Sequence, residues 1–144
     1  MNRILNSSLA VAALFVGVAG FTAQGMAAET PAVAPAAHAI PDLSKSELDQ
    51  AIAAKSVTLI DCNGSESYAK GHIPGAIDFQ ADKAKLAALL PADKNALVVA
   101  YCGGPQCGAY KSGYEAAKAL GYTQVKHFSG GLSGWQKDGG ALVQ

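Results

Sequence analysis

One stretch, Leu97–Gly108 (LVVAYCGGPQCG), constrains this chain more than any other. Leu97–Tyr101 is an unbroken apolar run, the composition of a strand covered on both faces. Cys102 follows at once, then Gly103-Gly104-Pro105-Gln106-Cys107-Gly108. Beyond that loop Tyr110, Tyr114, Ala117 and Leu120 recur at helical spacing. A doubly buried strand that passes into a helix through a short loop is a unit of a parallel sheet. Ligands of such sheets gather beyond the carboxyl ends of the strands. A thiol placed there, beside a helix N-terminus and unbonded backbone N–H groups, has its thiolate favoured. Cys102 is therefore the candidate nucleophile. The amides of Gly103, Gly104, Gln106, Cys107 and Gly108 are the candidate anion cradle, and Pro105 stiffens it.

The flanking sequence repeats the same grammar. Ser44-Lys45-Ser46-Glu47 is a capping box, predicting a helix to about Ala54 with Leu48, Ala51 and Ile52 inward. Val57–Asp61 reads as a short strand, with Asp61, Cys62 and Asn63 at its carboxyl end. If the strands are parallel, that end shares a rim with Cys102. Ser65–Lys70 reads as a helix stopped by Gly71, Pro74-Gly75 as a turn, and Ile77–Phe79 as a strand. Asp82–Leu90 reads as one helix capped by Asp82, with Leu86, Leu89 and Leu90 inward. Asn95–Tyr101 is the central strand, Gly108–Leu120 the helix after the loop, and Val125–Phe128 the last strand. A short helix carrying Trp135 follows Gly130-Gly131, and Gly139-Gly140 closes the domain. Alternating strands and helices predict a three-layer α/β/α domain over residues 42–140 around a mainly parallel sheet, with 141–144 as a tail.

The N-terminus is of another kind. Met1-Asn2-Arg3 precedes an apolar run from Leu9 to Phe21 and small residues up to Ala28, the layout of a secretory signal peptide over residues 1–28. Its length and Gly/Ala content suit a cleaved signal better than a membrane span, the alternative being a retained anchor. Residues 29–41 are Ala/Pro-rich and aperiodic, as a linker is, and His38 within them is a lone, solvated histidine. The expected location is outside the cytoplasm, in the bacterial periplasm, with no membrane contact after cleavage.

Charge and cysteines narrow the chemistry. Arg3 is the only arginine, so the part after the signal has ten lysines against eleven acidic residues and a net charge of −1. No basic patch exists for nucleic acid. No guanidinium fork is available to clamp a dianion, which leaves Lys111 and Lys70 as point charges near the loop. Three cysteines in an exported chain leave at least one unpaired or paired outside it. Cys107 is open to three roles: a resolving thiol for Cys102, a small loop-filling side chain, or part of a metal site. The Cys-x4-Cys spacing with one further cysteine falls short of a zinc pattern, so no metal and no cofactor is expected. Cys62 reads as packing within reach of the site. His72 reads as structural rather than as a base, and Asp61 equally as a turn cap or a rim residue. Tyr68, Tyr114 and Trp135 read as packing residues with polar tips.

Three signatures in order resemble the rhodanese-like (sulfurtransferase) family. They are Leu59-Ile60-Asp61 with Glu66, Tyr68 and Gly71-His72-Ile73-Pro74-Gly75-Ala76; Val98-Val99-Ala100-Tyr101-Cys102 with its loop; and Gly121-Tyr122, Val125, Gly130-Gly131-Leu132 and Trp135. The resemblance spans Leu43 to Gly140. It implies a sheet of about five strands. It also implies that Cys102 takes a sulfane sulfur from a small donor, holds it as a persulfide, and passes it to a thiol or cyanide-like acceptor. This loop departs from many members in lacking a basic side chain. The related cell-cycle phosphatases use C-x5-R, whereas that spacing here ends on Gly108, which argues against phosphate-ester hydrolysis. Two other classes stay open: a thiol-redox or sensor module cycling Cys102 and Cys107, and a non-catalytic binding module on the same scaffold.

Overall fold

In the computed structural model, which describes residues 39–144, four strands form one parallel sheet in the order β2-β1-β3-β4. They are β1 (Val57–Asp61), β2 (Ala76–Asp78), β3 (Leu97–Tyr101) and β4 (Val125–Phe128). The helices are α1 (Lys45–Ala53), α2 (Ser65–Lys70), α3 (Phe79–Asp82), α4 (Leu86–Leu89), α5 (Tyr110–Ala119) and α6 (Gly131–Lys137), with a 3-10 turn at Lys83–Lys85. The expected signal peptide and most of the linker lie outside the described residues. Among the described residues no helix is long and apolar enough to cross a membrane.

The sheet has four strands rather than about five. Asp42 makes one parallel bridge to His127 beside β4, with Leu43 N–H donating to His127 O (2.7 Å) and His127 N–H to Pro41 O (2.8 Å). Pro41 has no N–H with which to extend that ladder, and Ser44 already caps α1, so the fifth strand stops as a stub. The linker's last residue thus already belongs to the fold.

Side chains alternate across the strands and divide the core in two. Leu59, Val99, Tyr101, Ala76 and Phe128 face α1 and α6 through Leu48, Leu43 and Trp135, with Tyr68 and Leu142 at the margin. Ile60, Val98, Ala100 and Val125 face the other layer through Phe79, Leu86, Leu90, Ala117 and Tyr122. The capping box of α1 forms as the sequence predicts, Ser44 Oγ accepting from Glu47 N–H and Glu47 from Ser44 N–H.

The helix expected over Asp82–Leu90 is instead three short pieces. Its cap is Asp78, whose Oδ1 accepts from Gln80 N–H (2.9 Å) and Ala81 N–H (3.2 Å). Asp82 caps nothing with its side chain. Phe79, expected in the strand, is the first residue of α3. The C-terminal segment is not a free tail. His72 and Val143 exchange two backbone bonds (2.9 and 3.0 Å), and Trp135 Nε1–H donates to Ala141 O (2.8 Å).

Candidate functional site

β1 pairs with β2 on one side and β3 on the other, so the strand order reverses between β1 and β3. A crevice opens at the carboxyl end of such a reversal. The register brings those ends level, since Asp61 pairs with Tyr101, and Tyr101 with Phe128. Cys102 is the first residue past that line. The other border is Cys62-Asn63, close enough that a Cβ on Gly103 would touch Asn63 Oδ1 at 3.4 Å.

The loop is held from two directions. Cys107 N–H donates to Gly104 O (2.9 Å) and turns the chain back on itself. From the facing layer, Leu132 N–H donates to Cys102 O (2.9 Å) and Ser133 N–H to Gly103 O (3.0 Å). Gly131 makes that approach possible. Its φ is +55°, and a Cβ there would overlap the Cys102 carbonyl and Gly104 N. Among the described residues the amides of Gly103, Gly104, Gln106 and Gly108 have no protein acceptor. The cradle therefore has four available amides rather than five, because that of Cys107 is spent on the turn.

Cys102 and Cys107 form a disulfide, their Cα atoms 6.2 Å apart. Cys102 is only 1% exposed, whereas Cys107 is half-buried. Cys107 lines a depression of ≈ 430 Å³ with Gly103, Gly104, Pro105, Gln106 and Ser133. This oxidised loop presents Cys107 to solvent and keeps Cys102 covered. This pairing is the one a resolving thiol would make. Among the described residues there is no cluster able to hold a metal ion.

The other candidates disperse. Lys111 borders a separate depression with Ala39, Ile40, Tyr114 and Glu115, so it is not gathered at the loop. Lys70 is exposed and paired with Glu66 (2.7 Å). Cys62 Sγ sits under α5, where a Cβ on Gly113 would come within 2.6 Å of it. Burial there pushes its thiol up to about 12, which makes it a packing group rather than a nucleophile. Asp61 is buried and accepts from Tyr101 Oη–H (2.7 Å) and from Asn63 N–H and Nδ2–H (2.7 and 2.8 Å), so it braces the rim. His72 stacks on Tyr68 with ring centroids 3.6 Å apart, a structural use.

Two residues at the site escape sequence reasoning. Ser133 lines the main depression, and Lys137 borders an adjoining one of ≈ 310 Å³ with Pro105, Gly130, Ser133, Gly134 and Asp138. The glycine pair at the start of α6 signals a close approach, but not to which loop.

Comparison with known proteins fits this geometry. The description of the rhodanese-like domain matches residues 44–138. The chain belongs to the rhodanese-like domain family. A curated relative, an HTH-type transcriptional regulator of Mycobacterium tuberculosis, is 35% identical over 98 residues, which are 67% of this chain and 42% of the regulator. The chain thus spans about two fifths of that protein's length. Similar solved structures include a human single-domain sulfurtransferase, with a TM-score of 0.55 and 22% identity over 69% of this chain and 97% of that one. A thiosulfate sulfurtransferase of Pseudomonas aeruginosa has a TM-score of 0.59 and 22% identity over 73% of this chain and 20% of its own. The 3-mercaptopyruvate sulfotransferase SseA of Escherichia coli has a TM-score of 0.60 and 20% identity over 74% and 52%. At these identities the likeness is one of fold.

Proposed function

We propose that this rhodanese-like domain is an exported sulfurtransferase whose persulfide carrier is Cys102. One observation carries the reading: Cys102 stands at the carboxyl end of β3, at the reversal of strand order, beside four unbonded loop amides. In the dithiol form the Cys102 thiolate attacks the sulfane sulfur of a small donor. The bond between that sulfur and the rest of the donor breaks, and the donor leaves with the electron pair. The terminal sulfur of the persulfide carries negative charge, which backbone N–H groups stabilise as they do other anions. A thiol or cyanide-like acceptor then takes the sulfur and returns Cys102 to the thiolate. Splitting the transfer into two displacements is the gain of covalent catalysis.

No guanidinium stands in the chain after Arg3, Lys111 lines another depression, and Lys137, beside the loop, is a point charge rather than a fork. A singly charged persulfide or polysulfide therefore suits the loop better than the thiosulfate dianion. The test is the intact mass of the reduced protein after incubation with thiosulfate, a polysulfide or a small-molecule persulfide. The expected result is a gain of one sulfur, larger with the latter two and absent in Cys102→Ser. No gain from any donor in either the parent or Cys107→Ser, or a gain that survives Cys102→Ser, would falsify the reading. A thiol-redox module is the second reading, favoured by the Cys102–Cys107 disulfide. It predicts reversible loss of two alkylatable thiols with no sulfur uptake.

A further inference from the structure

We propose that Cys107 is a resolving thiol that gives this domain a second activity, the reductive release of the carried sulfur as hydrogen sulfide. The inference rests on the Cys102 persulfide reading and extends it. Its basis is the loop geometry. The turn closed by Cys107 N–H on Gly104 O folds the chain so that the two Sγ atoms meet, with Cα atoms 6.2 Å apart, inside the range a disulfide spans. The third cysteine does not compete, since Cys62 Sγ is packed under Gly113 of α5.

The step balances without an added oxidant. The Cys107 thiolate attacks Sγ of the Cys102 persulfide. The bond from Sγ to the terminal sulfur breaks, and that sulfur takes up the proton given up by the Cys107 thiol and leaves with the electron pair as HS⁻. A Cys102–Cys107 bond takes its place. The sulfane sulfur is reduced by two electrons and the cysteine pair is oxidised by two. Attack on the terminal sulfur would only move the persulfide to Cys107, so release requires contact between the two Sγ atoms. The disulfide records that contact.

Reopening the loop requires a dithiol, either a protein or a small molecule. Thiol–disulfide exchange favours the accessible sulfur and the better leaving group. Cys107 is half-buried and lines the depression, whereas Cys102 is covered. Attack therefore falls on Cys107, Cys102 is freed as thiolate, and the second thiol of the dithiol releases Cys107. Each cycle takes one sulfane sulfur and one dithiol, and yields one sulfide and one oxidised dithiol.

The experiment uses the full chain, reduced, loaded with a polysulfide, and freed of excess reagent. In the absence of reductant the unsubstituted protein is expected to release sulfide in proportion to its persulfide while two alkylatable thiols disappear. Peptide mapping should then find Cys102 joined to Cys107. Cys107→Ser and Cys107→Ala should retain the extra sulfur on Cys102 at least tenfold longer and release sulfide only when dithiothreitol is added. Equal retention in the parent and both variants overturns the proposal while leaving the carrier reading intact. Failure of Cys102 to load from any donor in the Cys107 variants overturns both.

Discussion

Tyr101 is the residue that couples the two sides of the crevice. Its hydroxyl donates to Asp61 Oδ2 (2.7 Å) and accepts from Ile73 N–H (3.1 Å), joining β3, β1 and the turn before β2. Burial raises the hydroxyl's pKa, so it remains a donor at any working pH. Tyr101→Phe leaves a buried carboxylate oxygen without that donor and the Ile73 amide without an acceptor. A loss of about 1–3 kcal/mol is expected in denaturant unfolding, the cost of unsatisfied buried partners. Unchanged stability would show the bonds to be replaceable. Asp61 is legible in the sequence as a rim residue, but its partner is 40 positions away. No local pattern links the two. Register makes them neighbours, because Asp61 and Tyr101 pair directly across β1 and β3.

At the scale of elements, local chemistry succeeds where one segment contains both halves of an interaction. The capping box of α1 is such a case. Ser44→Ala removes a side-chain acceptor for an orphan helix amide and should cost about 1 kcal/mol, read as a lowered thermal midpoint with the sulfur-loading reaction unaltered. Loss of loading in that variant would show that α1 supports the loop as well as the core. The segment after β2 is the opposite case. Apolar spacing starts the helix at Asp82, whereas the observed cap is Asp78. The choice falls to Asp78 because β2 ends where its pairing with Asp61 ends, and Gln80 is held by Ser65 N–H donating to its Oε1 (3.1 Å). Tertiary pairing sets the strand's end, and the strand's end sets the helix's start.

At the scale of the molecule, stability should fall on the acid side through His127. Its ring is buried between β4 and α5, stacked on Tyr110 with centroids 3.3 Å apart, and among the described residues its Nε2 has no partner. Burial holds its pKa below the ordinary 6.5, with Asp42 opposing. As pH falls through 6.5 the unfolded chain therefore binds a proton that the folded chain refuses. Stability is complete above that value and declines until the lower folded pKa is passed. Denaturant midpoints measured from about pH 8 to 5 should show the decline, and His127→Phe, which keeps the stack, should flatten it. An equal decline in both proteins would assign the effect to other groups.

The sequence by itself determined which segments are strands and helices in most of the domain. It also determined that Cys102 ends a buried strand before a glycine-rich loop. Both follow from periodicity and turn chemistry within a few residues. Tertiary structure alone decided the rest. It folded Cys107 onto Cys102, turned Lys111 away, buried Cys62 under α5, brought Ser133 and Lys137 to the loop, and bound the C-terminus to His72. Each outcome depends on strand register or on how closely two layers approach at a glycine. Those distances are set between segments far apart in the chain. The cysteine at the strand end was therefore legible in one dimension, whereas its pairing with Cys107 was one of three readings until the loop closed in three.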